Sequence, residues 1–319
     1  MNLRFFSFLL MAAAFSNSPA EAVPGGWSSV EKIMGRAGQE REGGFLVEIP
    51  RADLNVTVQG IPLEPELALT SRFFFRPMAK GTLLSGEVVL LESEVPRVEA
   101  EMTQNGFQPL GVQDFLPNGY PSLRILYISG QGSRANLAQA LRRVLTAKPL
   151  SENREEPAPR QAPPPTPAAP APSPAIVWAG VESVLGPGKL LGKVLSYEIE
   201  PAAAGTPESP GTPFGVGLET VLRLQKVQGV VVGKKKGWGW GSAISKDIVA
   251  GTGRMLLDEG RAEEVKDRLE RRGLWVAKPR NPDGNARQVW LYFWVLGPST
   301  EAAETLQEVW KRMEGVKSK

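Results

Sequence analysis

The phrase GKKKGWGWG, residues 233 to 241, sets three ammonium groups, Lys234, Lys235 and Lys236, beside two indoles, Trp238 and Trp240, on a glycine-rich backbone. Cations next to flat rings suit phosphates, sugars or a bilayer surface: the lysines meet anionic polymer or headgroups, and the indoles stack on a sugar ring or seat in an interface. The same letters also read as a solvated charge run beside tryptophans folded back onto their own domain. The phrase follows the strand-like stretch LETVLRLQKVQGVVV, so a loop or hairpin tip is its expected place. GVVVGKKK is no phosphate-cradling Walker loop, because its spacing is one residue short and no Ser or Thr follows the lysine. Gly130-Gln131-Gly132-Ser133-Arg134-Ala135 carries the letters of a dinucleotide fingerprint, but a proline-rich spacer follows where a second parallel strand would have to supply the ribose-binding acid. A tight turn with Ser133 capping a helix is the reading that fits.

Two counts of zero exclude more than any motif includes. The 319 residues contain no histidine and no cysteine, which removes Ser-His-Asp relays, Cys-His pairs, imidazole or thiolate zinc sites, and disulfides. What remains for chemistry is carboxylate, lysine, tyrosine, serine or an oxygen-ligated cation such as calcium or magnesium. No cofactor and no metal are expected. A formal charge of +3 on a chain that is 42% hydrophobic and 22% charged is an ordinary globular balance and implies no nucleic-acid partner.

Residues 1–22 carry one cation at Arg4, an apolar run from Phe5 to Phe15 and small residues ending at Ala22. This is the pattern of a secretory signal cut before Val23, with an uncleaved anchor as the other reading. The run is shorter than the roughly 20 residues a membrane span needs, and no later segment is long and apolar enough, so no transmembrane segment is expected in the mature chain. Export to a periplasm or to the exterior follows. Residues 151–176 are dominated by proline and alanine, cannot bury a core, and favour extended polyproline II, so they read as a linker between domains at 23–150 and 177–319.

The stretches on either side of that linker repeat one another. Val30-Glu31 and Met34-Gly35 match Val181-Glu182 and Leu185-Gly186, and residues 86 to 106 align without gaps on residues 253 to 273. Helical spacing of Val95, Val98 and Met102 recurs as Ala262, Val265 and Leu269, and each helix ends at a glycine, Gly106 or Gly273, where a left-handed cap belongs. A strand precedes each helix: Leu83 to Leu91 in the first copy, and a less regular run through Met255 to Leu257 in the second. Stronger strands follow at Leu123 to Ser129 and Gln288 to Val295, and a final helix closes each copy. The expected fold is α+β: two tandem β-α-β-β-α units with mostly antiparallel sheet, each preceded by a small helix and extended segments.

The phrases EIPRADLNVTVQGIPLEPELAL, SGEVVLLESEVPRVEAEMTQNGF and LYISGQGSRANLAQALRRVL resemble the LppY/LpqO type of exported protein, a family of predicted lipoproteins with two tandem domains and no assigned function. The resemblance spans residues 28 to 147 and, more faintly, 178 to 313, where LYFW at Leu291 to Trp294 is its best fragment. It implies histidines on the strand after the long helix, on the next strand and on its glycine turn. Here those places hold Val112, Gln113 and Asp114, then Tyr127 and Gln131, with Pro279, Arg280, Asn281 and Tyr292 in the second copy. The family's lipid-bearing cysteine is absent as well. A metal or proton-shuttling site built on imidazole is therefore not expected in this chain.

At other places where the family pattern carries charge stand Arg51, Asp53 and Glu87, which together with Asp114, Tyr127 and Gln131 form the candidate ligand-binding set. Two carboxylates and an arginine suit a cation or an anionic sugar, and in principle the acid and base of a glycosidase. Arg51 and Asp53 pairing with each other, or capping a turn, is the plainer alternative. No catalytic residue is assigned. The expectation is an exported, non-catalytic binding protein of the cell envelope or exterior, with envelope polysaccharide or another exported protein as partner. A weak or relict hydrolase using first-domain carboxylates or an oxygen-bound divalent cation is the alternative.

Overall fold

The computed structural model describes residues 26–41, 43–146, 174–199, 220–227, 247–281 and 288–314. The run Lys234 to Trp240 lies outside these residues, and so does all of the proline-rich segment up to 173. The last three positions of the expected linker, 174 to 176, already belong to a helix that runs Pro174–Leu185.

The first half of the chain runs through α1 (Ser28–Met34), β1 (Gln39–Arg41), β2 (Gly44–Pro50), β3 (Thr57–Val58), β4 (Ile61–Pro62), α2 (Pro65–Ala68), β5 (Thr70–Pro77) and β6 (Thr82–Leu91). After a 3-10 turn at Glu92–Glu94 come α3 (Val95–Gln104), β7 (Gln108–Gln113), β8 (Gly119–Tyr120), β9 (Leu123–Gly132) and α4 (Arg134–Thr146). The second half contains α5 (Pro174–Leu185), β10 (Lys189–Leu191), β11 (Val194–Ile199), β12 (Thr220–Val227), β13 (Ile248–Asp258), α6 (Glu259–Arg271), β14 (Trp275–Val276), β15 (Gln288–Pro298) and α7 (Ser299–Glu314).

These elements build two six-stranded sheets of matching order, β1-β2-β5-β6-β9-β7 and β10-β11-β12-β13-β15-β14, and a small sheet β4-β3-β8. Every described strand pairing is antiparallel. The α+β class and the mostly antiparallel sheet are thus as expected. Sequence reading underestimated the strands: β13 runs eleven residues where only Met255 to Leu257 stood out, because Gly251 and Gly253 interrupt its apolar pattern.

Local signals explain the helix ends. Pro96 sits in the first turn of α3, where its missing N–H costs nothing, and Gly106 and Gly273 follow α3 and α6 with φ of 84° and 83°, the left-handed conformation a side chain disfavours. Glu31 accepts a hydrogen bond from the Gly38 amide at 3.0 Å, and Glu182 accepts one from Gly188 at 3.4 Å, so the short helices α1 and α5 are tied in the same way to the strands that follow them.

The core is layered. Val30, Val98, Met102 and Leu141 of the first-half helices pack on Phe73, Val88 and Ile128 of one sheet face. Val181, Val265, Leu269 and Leu306 of the second-half helices pack on Leu224, Leu291 and Phe293 of the other sheet. At the centre of each helix-covered face sits a glycine: a Cβ on Gly86 would come within 2.8 Å of Phe73 and Ile128, and one on Gly253 within 2.1 Å of the Phe293 ring. The third cluster draws on both halves, joining Leu46, Phe74, Val89 and Ile125 to Val194, Ala250, Trp290 and Trp294. The two sheets therefore stack face to face with helices outside, in four layers. Burial on both faces is why β9 and β15 read as nearly continuous apolar runs rather than alternating ones. The α2 helix packs against β12 and β13 of the other sheet as well as against β5 of its own.

Candidate functional site

Between the stacked sheets the apolar cluster gives way to a band of charged and hydroxyl side chains. Each reaches the band because its neighbours along the strand, one residue away, point to the helix side. On β6, Glu87 follows Gly86 and stands in register with Arg72 of β5 and Tyr127 of β9. On β13, Arg254 follows Gly253 and stands in register with Val221 of β12 and Tyr292 of β15. The two sheets thus present position-matched residues of opposite charge, and these meet: Arg254 Nη1 donates to Glu87 Oε2, with both side chains almost fully buried. The Arg254 guanidinium also lies 4.8 Å from the centre of the Trp290 ring, a cation–π contact that supports its desolvated charge.

The matched tyrosines meet as well. Tyr127 Oη donates to Gln113 Oε1 at 2.9 Å and lies 3.0 Å from the Tyr292 hydroxyl, which stands 3.4 Å from Glu87 Oε1. Burial first, then Tyr292 and Glu87 for Tyr127 and Glu87 for Tyr292, holds both phenols well above their ordinary titration range, so they remain neutral donors.

A second knot forms on Glu48 of β2. Its Oε1 takes Arg72 Nε at 3.1 Å and Arg223 Nη2 at 2.8 Å, so one carboxylate bridges the two sheets. Arg223 also donates to the Glu66 carbonyl at 2.8 Å. Gln225 clasps the β4–α2 segment, donating to the Pro62 carbonyl at 2.7 Å and accepting from the Glu64 amide at 2.9 Å. Arg41 with Glu198 at 2.5 Å and Lys193 with Glu64 at 3.2 Å complete the pairs at the rim.

Burial pushes the Glu48 carboxyl upward, but Arg72, Arg223 and Arg41 outweigh it and hold it below the ordinary 4.5. A depressed folded pKa means that the stability Glu48 contributes is whole above about pH 4.5 and fades as pH falls through the lower folded value. The expected outcome is a loss of urea resistance that sets in as pH falls below about 4.5. In Glu48→Gln that loss becomes shallower and the stability at pH 7 is lower. An unchanged acid profile in the variant would remove Glu48 from this role.

Two cavities open in the band. An inner chamber of about 60 Å³ has walls that include Arg72, Glu87, Arg223, Arg254 and Tyr292 together with Val89, Phe115 and Ile125. An outer cavity of about 200 Å³ is more polar and is bounded by Arg36, Gln39, Glu48 and Glu66. Thr70 and Arg223 belong to the walls of both.

Of the residues expected to bind ligand, the structure brings Glu87 and Tyr127 together in this band. Arg51 and Asp53 lie in a separate clamp. Arg51 Nε and Nη2 hold Asp53 at 3.0 and 2.9 Å, Nη1 and Nη2 hold Glu94 at 3.0 and 3.1 Å, and Nη1 also donates to the Val89 carbonyl at 3.0 Å. Burial works against the charge of both groups, yet their mutual contact prevails, raising the guanidinium and lowering the Asp53 carboxyl. Asp114 is exposed and pairs with Arg124, and Gln131 sits exposed near the end of β9 opposite Leu83. The six residues do not share one concave face.

Sequence reading missed Arg72, Arg223 and Arg254 as site residues. Their signal was present: each is an arginine set among apolar residues of a strand, in TSRFFF, VLRLQ and TGRMLL, and a cation in a two-faced strand must meet a partner. Among the described residues no group of three or more acidic side chains is placed to hold a metal ion, and no helix is long and apolar enough to cross a membrane.

Residues 28–147 match the family described as "Domain of Unknown Function (DUF1259)". No curated protein and no solved structure matches the chain.

Proposed function

We propose that this chain is an exported, non-catalytic binding protein of the periplasm or exterior, made of two tandem copies of one α+β unit joined by a proline-rich linker and allied to the LppY/LpqO type. Residues 1–22 direct export. The observation that carries the reading is the pairing of Glu87 with Arg254 and of Tyr127 with Tyr292 between position-matched strands. The groups that resemble catalytic equipment are spent on holding the units together. A carboxylate locked to a buried guanidinium is a poor general base, and a phenol held far above its ordinary range is a poor proton donor at neutral pH. Gln113 and Tyr127, at places where the resemblance implies histidine, are hydrogen-bonded to each other, which supports conversion of an ancestral polar site into a unit-to-unit contact. Recognition then falls first to the cations and indoles of Lys234 to Lys236 with Trp238 and Trp240, for envelope polysaccharide or another exported protein.

The test has three arms. The chain recovered outside the cytoplasm is expected to begin at Val23 by mass. The purified chain is expected to be retained on isolated envelopes or envelope polysaccharide, with retention lost when Lys234, Lys235 and Lys236 are changed to serine and Trp238 to alanine. Across glycoside and ester panels no turnover is expected. Turnover of a defined compound that disappears in Asp53→Asn or Glu87→Gln would overturn the non-catalytic reading, and unchanged retention of the lysine and tryptophan variant would remove these residues from the contact.

A further inference from the structure

The acceptor tripeptide for N-linked sugar, Asn-x-Ser/Thr with x other than proline, occurs once in the chain, as Asn55-Val56-Thr57. Asp53 stands two positions ahead, so the stretch reads Asp-Leu-Asn-Val-Thr. Both flanking groups are handles for a transferase: the Thr57 hydroxyl by hydrogen bonding, and the Asp53 carboxylate by pairing with a cation.

The fold turns this asparagine outward. The stretch lies between β2 and β3, outside helix and strand until Thr57. Asn55 is exposed, whereas Leu54 and Val56 on either side of it are 8% and 1% exposed and belong to the apolar cluster shared by both halves. The side chains thus alternate in, out, in. Asn105, by comparison, donates to the Glu101 carbonyl at 2.9 Å and accepts from Arg143 at 3.1 Å. Among the described residues no such bond holds the Asn55 amide. A bulky group on Asn55 projects into solvent and displaces no core residue.

The same anchoring dictates when a transfer could happen. A transferase takes its acceptor as an extended segment, and extending this one in the folded protein would pull Leu54 and Val56 into water. The Leu54 amide donates to the Arg51 carbonyl at 3.1 Å, and the Leu63 amide to the Val56 carbonyl at 2.9 Å. Asp53 is held by Arg51 at 2.9 Å and is not open to a second cation. None of these restraints acts on the unfolded chain.

We propose that Asn55 is an N-glycan acceptor, modified on the exported chain before the first half folds. This rests on the export reading above and adds a covalent modification to it. The co-substrate is a glycan carried on a polyprenyl diphosphate. Asn55 Nδ2 forms a bond to the anomeric carbon while the bond from that carbon to the diphosphate oxygen breaks. The diphosphate leaves with the electron pair, and the nitrogen gives one of its two protons to the transferase.

Intact-mass and peptide mapping of the chain recovered from its own producing cells test this. The expected mass exceeds that of residues 23–319 by one glycan, with the increment on Asn55. Asn55→Gln and Thr57→Ala are expected to return the bare mass with the thermal midpoint of the unmodified chain, and Thr57→Ser to keep the glycan. A chain that begins at Val23 with bare mass would overturn the acceptor assignment and leave export standing. A chain that still begins at Met1 would overturn export, and the acceptor with it. For the timing, unmodified full chain is incubated with envelope membranes that hold transferase and lipid-linked glycan. The chain diluted from urea is expected to be modified at least tenfold faster than the folded chain, and equal rates would refute transfer before folding.

Discussion

Arg254→Met is expected to destabilise the protein by about 3–5 kcal/mol, the loss that follows when one partner of a buried ion pair is removed and the other stays behind. Glu87 is 4% exposed and is held between the sheets, so water cannot replace the guanidinium without separating the two layers. Glu87→Leu alone is expected to fall in the same range, stranding Arg254. The double change is expected to recover most of the loss, since two apolar side chains of similar reach satisfy the space without a stranded charge. Urea unfolding of the four proteins gives the coupling directly. Losses that simply add would show that the matched pair does not bind the sheets together. The singles are also expected to broaden or split the transition, because a weakened contact lets one half unfold before the other.

A second large loss, again about 3–5 kcal/mol, is expected for Arg51→Met. The guanidinium is 6% exposed and holds Glu94, itself 5% exposed, while also donating to the Val89 carbonyl, so its removal strands a carboxylate and a carbonyl at once. Glu94 has a further duty: its Oε2 accepts the Leu91 amide at 2.8 Å and so starts the turn that leads into α3. Asp53→Asn is expected to cost under about 1 kcal/mol, because that carboxylate is 42% exposed and water takes over its contact. This ordering separates a structural clamp from a ligand site. Were Asp53→Asn to abolish binding of a cation or sugar while stability held, the clamp would regain a recognition role.

Particular residues show what was legible in the sequence. Gly106 and Gly273 marked two helix ends because left-handed backbone has a local signature, and both carry the positive φ that their position demands. The gap-free alignment of 86–106 on 253–273 placed Gly86 over Gly253, and the structure gives each of them the same crowded station beneath an aromatic ring. Glu87 was readable as a candidate because charge within an apolar strand is conspicuous. Its partner was not, since Arg254 lies 167 positions away and only the stacking of the sheets brings the two together. The same limit hid Glu48, whose role depends on Arg223, and it also dispersed Arg51, Asp53, Asp114 and Gln131, because a sequence reports neighbours along the strand but not which face a neighbouring sheet will cover. Lys234 to Trp240 lies outside the described residues, so its chemistry still rests on composition.

The sheets agree in order and register but disagree in sign at their centre, and that disagreement has a consequence for assembly. A half that met a duplicate of itself through this face would set acid 87 against acid 87, or guanidinium 254 against guanidinium 254, in a place where solvent could not soften the repulsion. Like rejects like, so each half is complete only with the other kind. The molecule thereby carries its own safeguard against self-stacking into chains of identical halves, and covalent tethering keeps the correct mate always within reach.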